Sequence, residues 1–414
     1  MSRRILHLLP VLASLILLGC EPPPTDGWAG TVVDSAGIRI VMNPTEPLWS
    51  PEEGWWVEEA LRVDPDEQIP GTLFGYIADA DIDSRGRVYA LDQQARAVRV
   101  FGTDGTFEST LGGPGDGPGE IGAAATSLVV GPGDTILVGD WLQGHLDRYL
   151  PDGTILDPLP LPDEVRGRGW LKDIDGRLWI RTLEMSSEDG GEGWTSLDRL
   201  WQIEGGESTP VLDFDYQKSE LGDRGAPRLP LIVNAPMWTA LPEARVAWST
   251  LESSEVRIAD WGVEGQTVST ARIRSEGWRA RSPSATDLEA LRILVGERLE
   301  MLGGDAETVN RLPVVDPPVL PVMTQLAAGP DGTLWVQRTG DLRAVHPMAM
   351  NTPDPPTTWG GTTWDVLDRE NRYLGSVELP PRFRLMAFRG DIMVGAVADP
   401  GNVDSLVLLR LNRP

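Results

Sequence analysis

The feature that most constrains the fold of this chain is a run of short predicted strands that occurs twice in tandem. Residues 82–120 read IDSRGRVYALDQQARAVRVFGTDGTFESTLGGPGDGPGE, with three strand-like segments between turn signals, and residues 129–159 are a near copy. One small antiparallel sheet cannot bury both of its faces, so tandem copies must pack against one another. The pattern therefore predicts an all-β fold built as a β-propeller.

The turn between the first and second strands marks each predicted blade. It recurs six times, just before the segments RVYALD, TILVGD, RLWIRT, RVAWST, TLWVQR and IMVGAV. The long interval between the fourth and fifth copies leaves room for a seventh blade, which is the competing count. Residues 284–302, SATDLEALRILVGERLEML, instead have apolar side chains at helical spacing. We therefore predict six blades, with residues 284–321 forming a short helical insertion.

A circular array of blades needs its two ends tied together, because open sheet edges are prone to aggregate. The last segment of the chain offers three strands for the sixth blade and lacks a fourth. Alternating Val and Ile residues at 31–42 indicate a strand or hairpin near the N-terminus. We predict that this N-terminal segment supplies the outer strand of the last blade, so that the propeller comprises residues 31–414.

The charge of the chain makes one class of partner improbable. Its 414 residues include 62 Asp and Glu but only 36 Lys and Arg, for a formal net charge of −26. A surface this acidic repels phosphate backbones, and no basic stripe interrupts it. We expect no nucleic-acid partner.

The N-terminus resembles an export signal. Two arginines precede a short apolar run that closes with Leu17-Leu18-Gly19-Cys20, which is similar to a bacterial lipobox. That resemblance implies that residues 1–19 are a signal peptide and that Cys20 carries a lipid anchor; an ordinary secretory signal is the alternative. Residues 20–30, with three consecutive prolines, would form a stiff tether. We expect a lipid-anchored envelope protein, with Glu21 after the cysteine favouring the outer membrane.

The first two predicted blades resemble NHL repeats. In that pattern an outer strand ending in F-x-x-D-G leads through a glycine-rich loop to the next strands, and here Phe101, Asp104, Gly105 and Asp140 match it. Ile121 stands where a phenylalanine is usual. The whole chain is similar to bacterial six-bladed propeller lipoproteins. This resemblance implies the fold and an envelope location, and it implies no agreed chemistry.

The inventory of reactive side chains limits the chemistry. The histidines are His7, within the signal peptide, His145 and His346, both predicted to lie in loops. They are too few for a histidine-rich zinc site, and no G-x-S-x-G motif accompanies them. Asp79 and Asp81 alternate on a predicted innermost strand and project from one face, where hard oxygen ligands would suit Ca²⁺. We mainly expect the protein to need no cofactor. The alternative is a bound Ca²⁺ ion held by Asp79 and Asp81.

Two further features have both a structural and a functional interpretation. The glycine-rich run at 112–120 could be mistaken for a phosphate loop, but Asp116 and Glu120 add negative charge, so a connection between blades is favoured. Trp179, Trp248 and Trp335 occupy equivalent places in second strands, which indicates core between blades. A second group of tryptophans lies in or beside predicted loops and could form an aromatic binding patch on one rim. This group includes Trp141, Trp359 and Trp364.

These observations favour a binding scaffold. The chain lacks a recognisable catalytic constellation but has repeated blades and an apparent membrane anchor. We expect it to act through one rim of the propeller on an envelope protein, a peptide or a glycan. The alternative is a Ca²⁺-dependent hydrolase or lyase of the six-bladed propeller kind, similar to lactonases. A purely structural assembly part is a third interpretation.

Overall fold

The computed structural model describes residues 27–140, 142–161, 165, 168–174, 177–187, 194–204, 207–214, 229–232, 236–261, 267–301, 314–342 and 361–414. The predicted signal peptide, Cys20 and most of the tether lie outside these residues. No helix among the described residues has the length and apolar character needed to cross a membrane.

Within the described residues, three strands precede the first blade: β1 (Thr31–Ser35), β2 (Ile38–Asn43) and β3 (Trp56–Val63). Two antiparallel four-stranded sheets follow, and each runs in chain order from its first strand to its fourth. Blade 1 consists of β4 (Ile77–Ile82), β5 (Val88–Asp92), β6 (Ala97–Phe101) and β7 (Phe107–Leu111). Blade 2 consists of β8 (Ala125–Val130), β9 (Ile136–Asp140), β10 (His145–Tyr149) and β11 (Ile155–Pro160).

The third and fourth blades repeat this arrangement with longer strands. Blade 3 consists of β12 (Arg168–Ile174), β13 (Arg177–Ser187), β14 (Trp194–Glu204) and β15 (Glu207–Asp213). After the short β16 (Leu229–Pro230), blade 4 consists of β17 (Pro236–Leu241), β18 (Arg245–Thr250), β19 (Glu255–Trp261) and β20 (Thr267–Ser275).

Helix α1 (Ala285–Met301) lies between the fourth and fifth blades. The short β21 (Val314–Val315) comes after it in the chain and pairs with β16. Blade 5 consists of β22 (Met323–Ala328), β23 (Leu334–Arg338), β24 (Thr363–Leu367) and β25 (Tyr373–Glu378). Blade 6 draws three strands from the end of the chain: β26 (Phe383–Arg389), β27 (Ile392–Ala398) and β28 (Asp404–Asn412).

The prediction of six blades is confirmed. All six segments chosen as second strands are second strands, namely β5, β9, β13, β18, β23 and β27. The predicted helix is confirmed as α1, and the described residues of that interval form no seventh blade. Its N-terminus is fixed by a capping box, because the Ser284 backbone N–H donates to the Asp287 carboxylate and the Asp287 N–H donates back to Ser284 Oγ.

The propeller is closed by an N-terminal strand, but the predicted segment was the wrong one. Strand β3 pairs antiparallel with β28 and completes blade 6, with Leu61 opposite Leu408 and Trp56 opposite Asn412. Residues 31–42 form the β1–β2 hairpin instead, and β2 adds to blade 4 as a parallel neighbour of β20. Strand β3 contains two adjacent glutamates and an exposed face, so its apolar pattern is weaker than that of the hairpin.

The N-terminal belt, which we define as residues 28–63, joins the outer edges of three blades. It pairs with blade 4 through β2 and with blade 6 through β3. Between them, the Trp49 N–H donates to the Leu374 carbonyl of blade 5 (2.8 Å). The buried Asn43 side chain accepts a bond from the Tyr373 N–H (2.7 Å) and donates to the Asn371 carbonyl (3.0 Å). The belt therefore ties blades 4, 5 and 6 together.

Apolar side chains fill every seam between adjacent blades. Six separate buried clusters lie one to a seam, from the contact of blades 1 and 2 round to that of blades 6 and 1. Trp179 and Trp248 both lie in the seam of blades 3 and 4, and Trp335 lies in that of blades 5 and 6, as predicted. Fully buried aromatic rings provide a large share of such a core.

Candidate ligand-binding site at one mouth of the channel

The first strand of each blade is the edge strand of its sheet and lies innermost, at the central channel. Strand β4 packs against β8 and β26, β8 packs against β12, and β17 packs against β22. An edge strand has backbone groups without a sheet partner. Side chains of the preceding blade bond several of these groups: Asp79 to the Leu128 N–H, Asp81 to the Val130 N–H, Arg181 to the Pro236 carbonyl, Thr239 to the Ala328 N–H, Gln325 to the Leu385 carbonyl and Arg384 to the Ile77 carbonyl.

The two carboxylates predicted as calcium ligands take part in this linkage. Asp79 Oδ2 accepts from the Leu128 N–H and Asp81 Oδ2 accepts from the Val130 N–H, each at 2.9 Å. The remaining oxygen of each accepts the next backbone N–H in β4, at 2.9 and 2.8 Å. Both carboxylates thus join blade 1 to blade 2. Within the described part of the chain, no group of three or more histidine, cysteine or acidic side chains could hold a metal ion.

Arg389, at the end of β26, connects three blades at the channel. Its Nε donates to Asp81 Oδ1 of blade 1 at 2.8 Å, and its Nη2 bonds the other oxygen of the same carboxylate. Nη2 also donates to the Val130 carbonyl of blade 2 at 2.8 Å. Paired bonds from one guanidinium to one carboxylate fix the orientation of both groups. Because the Arg389 side chain is still 36% exposed, this fixed cation also faces solvent.

The exposed side of Arg389 forms part of a pocket of about 590 Å³, which we call the first-turn pocket. It is built from the first turns of blades 6, 1 and 2. Its lining comprises Ile82, Asp83, Ser84, Gly86, Val130, Gly131, Pro132, Asp134, Arg389, Gly390 and Ile392. A volume of roughly 300–1,000 Å³ is usual for small-ligand sites. The apolar side chains of Ile82, Val130 and Ile392 and the polar groups of the turns therefore form a site of ligand-binding size.

Two turns of the pocket are bonded to each other across the seam of blades 1 and 2. Asp134 accepts from both the backbone N–H and the Oγ of Ser84, at 2.8 and 2.6 Å. The bond from the Ser84 hydroxyl, followed by that from its N–H, lowers the pKa of Asp134. Asp134 has a φ of 58°, a left-handed conformation that aspartate tolerates better than most residues. The pocket wall is thus held in shape by its own polar groups.

Asp83 also belongs to the turn that builds this pocket. Its buried carboxylate accepts from the Arg85 and Arg87 backbone N–H groups, both at 2.9 Å, and from Arg87 Nε at 2.8 Å. The Tyr89 hydroxyl donates to it at 3.1 Å. Burial and the Asp83 charge both raise the pKa of Tyr89, which keeps that hydroxyl protonated. Asp83 is accordingly a turn-forming residue.

Helix α1 lies at the opposite mouth of the channel. Its apolar face packs on segments that lead into β17 and β22, in a cluster comprising Leu231, Ala290, Leu291, Leu294, Val295, Leu320 and Leu342. Burial lowers the pKa of Arg298, near the end of α1, and the neighbouring Tyr76, just before β4, opposes that shift. Blade 1 is opposite blade 4 in a ring of six. Since α1 packs on blade 4 and approaches blade 1, it crosses this mouth.

The predicted aromatic binding patch does not form around Trp364. This residue lies within β24, is fully buried in the seam of blades 5 and 6, and packs 6.4 Å from the Trp335 ring. Trp364 is the second residue of β24, and its ring lies in the core between blades, so it is not exposed on a rim. Trp141 and Trp359, also assigned to this patch, lie outside the described residues.

His145 differs from its predicted place in a loop. It begins β10, and its Nε2 lies 3.5 Å from Oδ1 of Asp147, which is buried in the same strand. Burial raises the pKa of Asp147 to about 6, with His145 opposing the shift. His346 lies outside the described residues. The polar residues that line the pocket, Ser84, Asp134 and Arg389, carry no sequence signal beyond their place at a first turn.

Asp147 gives a pH dependence of stability. Its folded pKa of about 6 lies above the ordinary value near 3.9, so the folded state gains protons as the pH falls below 6. The stability that protonated Asp147 contributes is fully present below about pH 4 and is lost as the pH rises through 6. We expect Asp147→Asn to raise the free energy of unfolding at pH 7.5 by about 1–2 kcal/mol and to have little effect at pH 4. Urea unfolding of both proteins at the two pH values tests this; an equal effect at both would contradict it.

A ring of six four-stranded sheets around a channel defines the class of this protein as a six-bladed β-propeller. No protein-family model matches the sequence, and no curated protein matches it. Three solved structures illustrate the likeness in fold. The chain aligns over 87% of its length with 98% of a DUF4221 family member from Bacteroides vulgatus, at 11% identity and a TM-score of 0.47.

The other two structures are enzymes by name. A virginiamycin B lyase from Staphylococcus aureus is 12% identical over 86% of this chain and 99% of its own, with a TM-score of 0.41. A gluconolactonase from Xanthomonas campestris is 11% identical over 86% of this chain and 95% of its own, with a TM-score of 0.43. Similarity this distant concerns the fold and not the chemistry, because one fold supports many functions.

Proposed function

We propose that this protein is a lipid-anchored envelope propeller that acts as a binding scaffold and takes its ligand at the first-turn pocket. The observation that carries the proposal is the pocket itself, a space of about 590 Å³ framed by three blades at one mouth of the channel. Helix α1 crosses the other mouth, so the first-turn side is the more accessible one. The lipobox-like sequence at Cys20 supports the anchor and the envelope location.

The polar groups of the pocket favour binding over catalysis. The charge of Arg389 is balanced by Asp81, and Asp134 accepts two bonds from Ser84. The lowered pKa of Asp134 keeps its carboxyl group ionised at neutral pH, which removes it as a proton donor. Groups that are already bonded to one another need no rearrangement when a ligand arrives, and such preorganisation benefits affinity.

The lining indicates what kind of ligand fits. Apolar contacts from Ile82, Val130 and Ile392 lie beside the polar groups of Ser84 and Arg389. A single amino-acid side chain or one sugar ring combines an apolar face with hydrogen-bonding groups in this way. We therefore propose that the pocket accepts one such unit of an envelope peptide or glycan, while the rest of the ligand lies across the turns.

Filling the pocket tests the proposal. Ser84 is exposed on the pocket wall, so Ser84→Trp places an indole ring in the space without disturbing a core. The purified full-length protein would be screened against peptide and glycan libraries and the best ligand titrated. We expect Ser84→Trp to weaken that ligand by at least about tenfold, through lost volume and lost contacts.

The matched control is Ser254→Trp, which puts the same ring on an exposed turn of blade 4. It should leave affinity within about twofold of the original, since it lies outside the pocket. Binding that survives Ser84→Trp would contradict the pocket as the site. Turnover of a lactone or ester by the purified protein, together with a rise in melting temperature on adding Ca²⁺, would instead support the hydrolase or lyase alternative.

A further inference from the structure

The lining of the first-turn pocket contains three charged residues, Asp83, Asp134 and Arg389. Two of these face an opposite charge within the protein. Arg87 Nε lies 2.8 Å from the Asp83 carboxylate, and Arg389 Nε lies 2.8 Å from Oδ1 of Asp81. The charges of Asp83 and Arg389 are therefore matched by side chains of the pocket wall, before any ligand arrives.

Asp134 is bonded in a different way. Its Oδ1 accepts the backbone N–H of Ser84 and its Oδ2 accepts the Ser84 hydroxyl group, and both donors are neutral. In the part of the chain that the structure describes, Asp134 forms no ion pair, and Arg85 and Arg87 act on it only at longer range. A carboxylate has roughly four acceptor positions, so the two bonds from Ser84 leave others open.

The arrangement of these bonds restricts the kind of cation that fits. Ser84 donates once to each oxygen of Asp134, and it thereby occupies the edge of the carboxylate that spans both oxygens. The planar fork of arginine makes its paired bonds at that same edge. An ammonium group is a compact point charge that needs only one open acceptor position. Asp134 therefore suits an ammonium group better than a guanidinium group.

The rest of the pocket suits the stem that carries such a group. Ile82, Val130 and Ile392 supply apolar lining in the same space of about 590 Å³. The four-carbon stem of a lysine packs along apolar surface while its charged end stays among polar groups. The formal net charge of −26 also attracts cationic ligands to this protein.

We propose that Asp134 is the cation-recognition residue of the first-turn pocket, and that the pocket takes the ammonium-bearing side chain of a lysine in an envelope peptide. This inference rests on the proposed function, in which the pocket accepts one unit of a ligand, and it names that unit. The ammonium group donates to the Asp134 carboxylate, and the aliphatic stem lies against Ile82, Val130 and Ile392.

Titrations of the full-length protein in neutral-detergent micelles at low ionic strength, followed by ligand-observed NMR, test this assignment. The probes are the N-acetyl methylamides of lysine, arginine and norleucine, of which norleucine has the stem of lysine without the ammonium group. We expect the lysine probe to bind at least about tenfold more tightly than the other two. Asp134→Asn keeps the size and tolerates the left-handed backbone but removes the charge, so it should weaken the lysine probe by at least about tenfold.

Asp104→Asn is the matched control. Asp104 accepts the backbone N–H and the hydroxyl group of Thr106, at 3.0 and 2.6 Å, much as Asp134 accepts those of Ser84. It lies in the turn between β6 and β7 and is not part of the pocket lining. Its replacement should leave the affinity for the lysine probe within about twofold of the original. Equal losses in the two variants, or equal binding of the lysine and arginine probes, would overturn the proposal.

Ser84→Trp separates this inference from the proposed function. If the lysine and norleucine probes bind equally and both are lost in Ser84→Trp, the pocket remains a binding site and the lysine assignment is overturned. Failure of all three probes to bind also overturns the lysine assignment, while the library screen still decides the proposed function. Tighter binding of glucosamine than of the lysine probe would assign the ammonium group to an amino sugar and would contradict the peptide ligand.

Discussion

Replacement of Arg384 by alanine is expected to lower the free energy of unfolding by about 3–5 kcal/mol. Arg384 and Asp404 form a fully buried ion pair at the junction of blades 6 and 1, with Nη2 and Oδ2 2.6 Å apart. Arg384 also donates to the Ile77 carbonyl at 2.9 Å and packs 4.6 Å from the Tyr76 ring. Alanine removes these contacts and leaves the Asp404 carboxylate buried without its counter-charge. Equilibrium unfolding in urea measures the loss.

A double variant separates the contribution of the ion pair from the cost of the unpaired charge that Arg384→Ala leaves buried. Arg384→Met with Asp404→Leu fills similar volumes with apolar groups, and such replacements of buried ion pairs are often close to neutral. We expect the double variant to be more stable than Arg384→Ala, although it loses the bonds to Ile77. If the double variant were the less stable of the two, the destabilisation would come from lost linkage between blades and not from an uncompensated charge.

Deletion of residues 1–63 is expected to abolish cooperative folding. Without β3, blade 6 has three strands and exposes the edge of β28, and the core of the adjoining seams loses Val57, Leu61 and Val63. The ends of the ring are then no longer joined by strand pairing, and the open edge invites association between molecules. Circular dichroism during heating, together with gel filtration, would show a broad transition and aggregated material.

A shorter deletion provides the comparison. Removal of residues 1–43 takes away β1 and β2 but keeps β3, so all six blades retain four strands. We expect this variant to unfold cooperatively at a reduced midpoint, because it loses the bonds of Asn43 and the parallel pairing with β20. Equal behaviour of the two deletions would mean that β3 does not close the ring in the way the pairing indicates.

Local signals explain why the blades could be predicted from the sequence. A tight turn next to alternating apolar residues depends on neighbours within about ten positions, so each second strand and α1 could be located. The closing strand could not be predicted, because β3 has two acidic side chains and its partner β28 lies at the far end of the chain. The prediction for Trp364 failed for a similar reason, because the burial of its side chain depends on packing against blade 6.

The candidate sites depend almost entirely on contacts between blades. The alternation of Asp79 and Asp81 is visible in the sequence, but their partners are backbone N–H groups of the next blade. Arg389 reaches its partner Asp81 across 308 positions of the chain. Strand register likewise places Arg257 opposite Arg272. Patterns of composition cannot reveal such pairs until the register is known.

The N-terminal belt also determines how the molecule would respond to mechanical tension. With the anchor proposed at Cys20, any pull between membrane and propeller first reaches the buried Trp28, whose indole N–H donates to Asn43 Oδ1, and then Thr31. Thr31 and Met42 are paired at the open end of the β1–β2 hairpin, so tension would unzip β1 from β2 one pair at a time. Residues 31–37 would then release roughly 25 Å of slack, at about 3.5 Å per residue. The hairpin would therefore open and lengthen the connection to the membrane before the force reaches the closing strand β3.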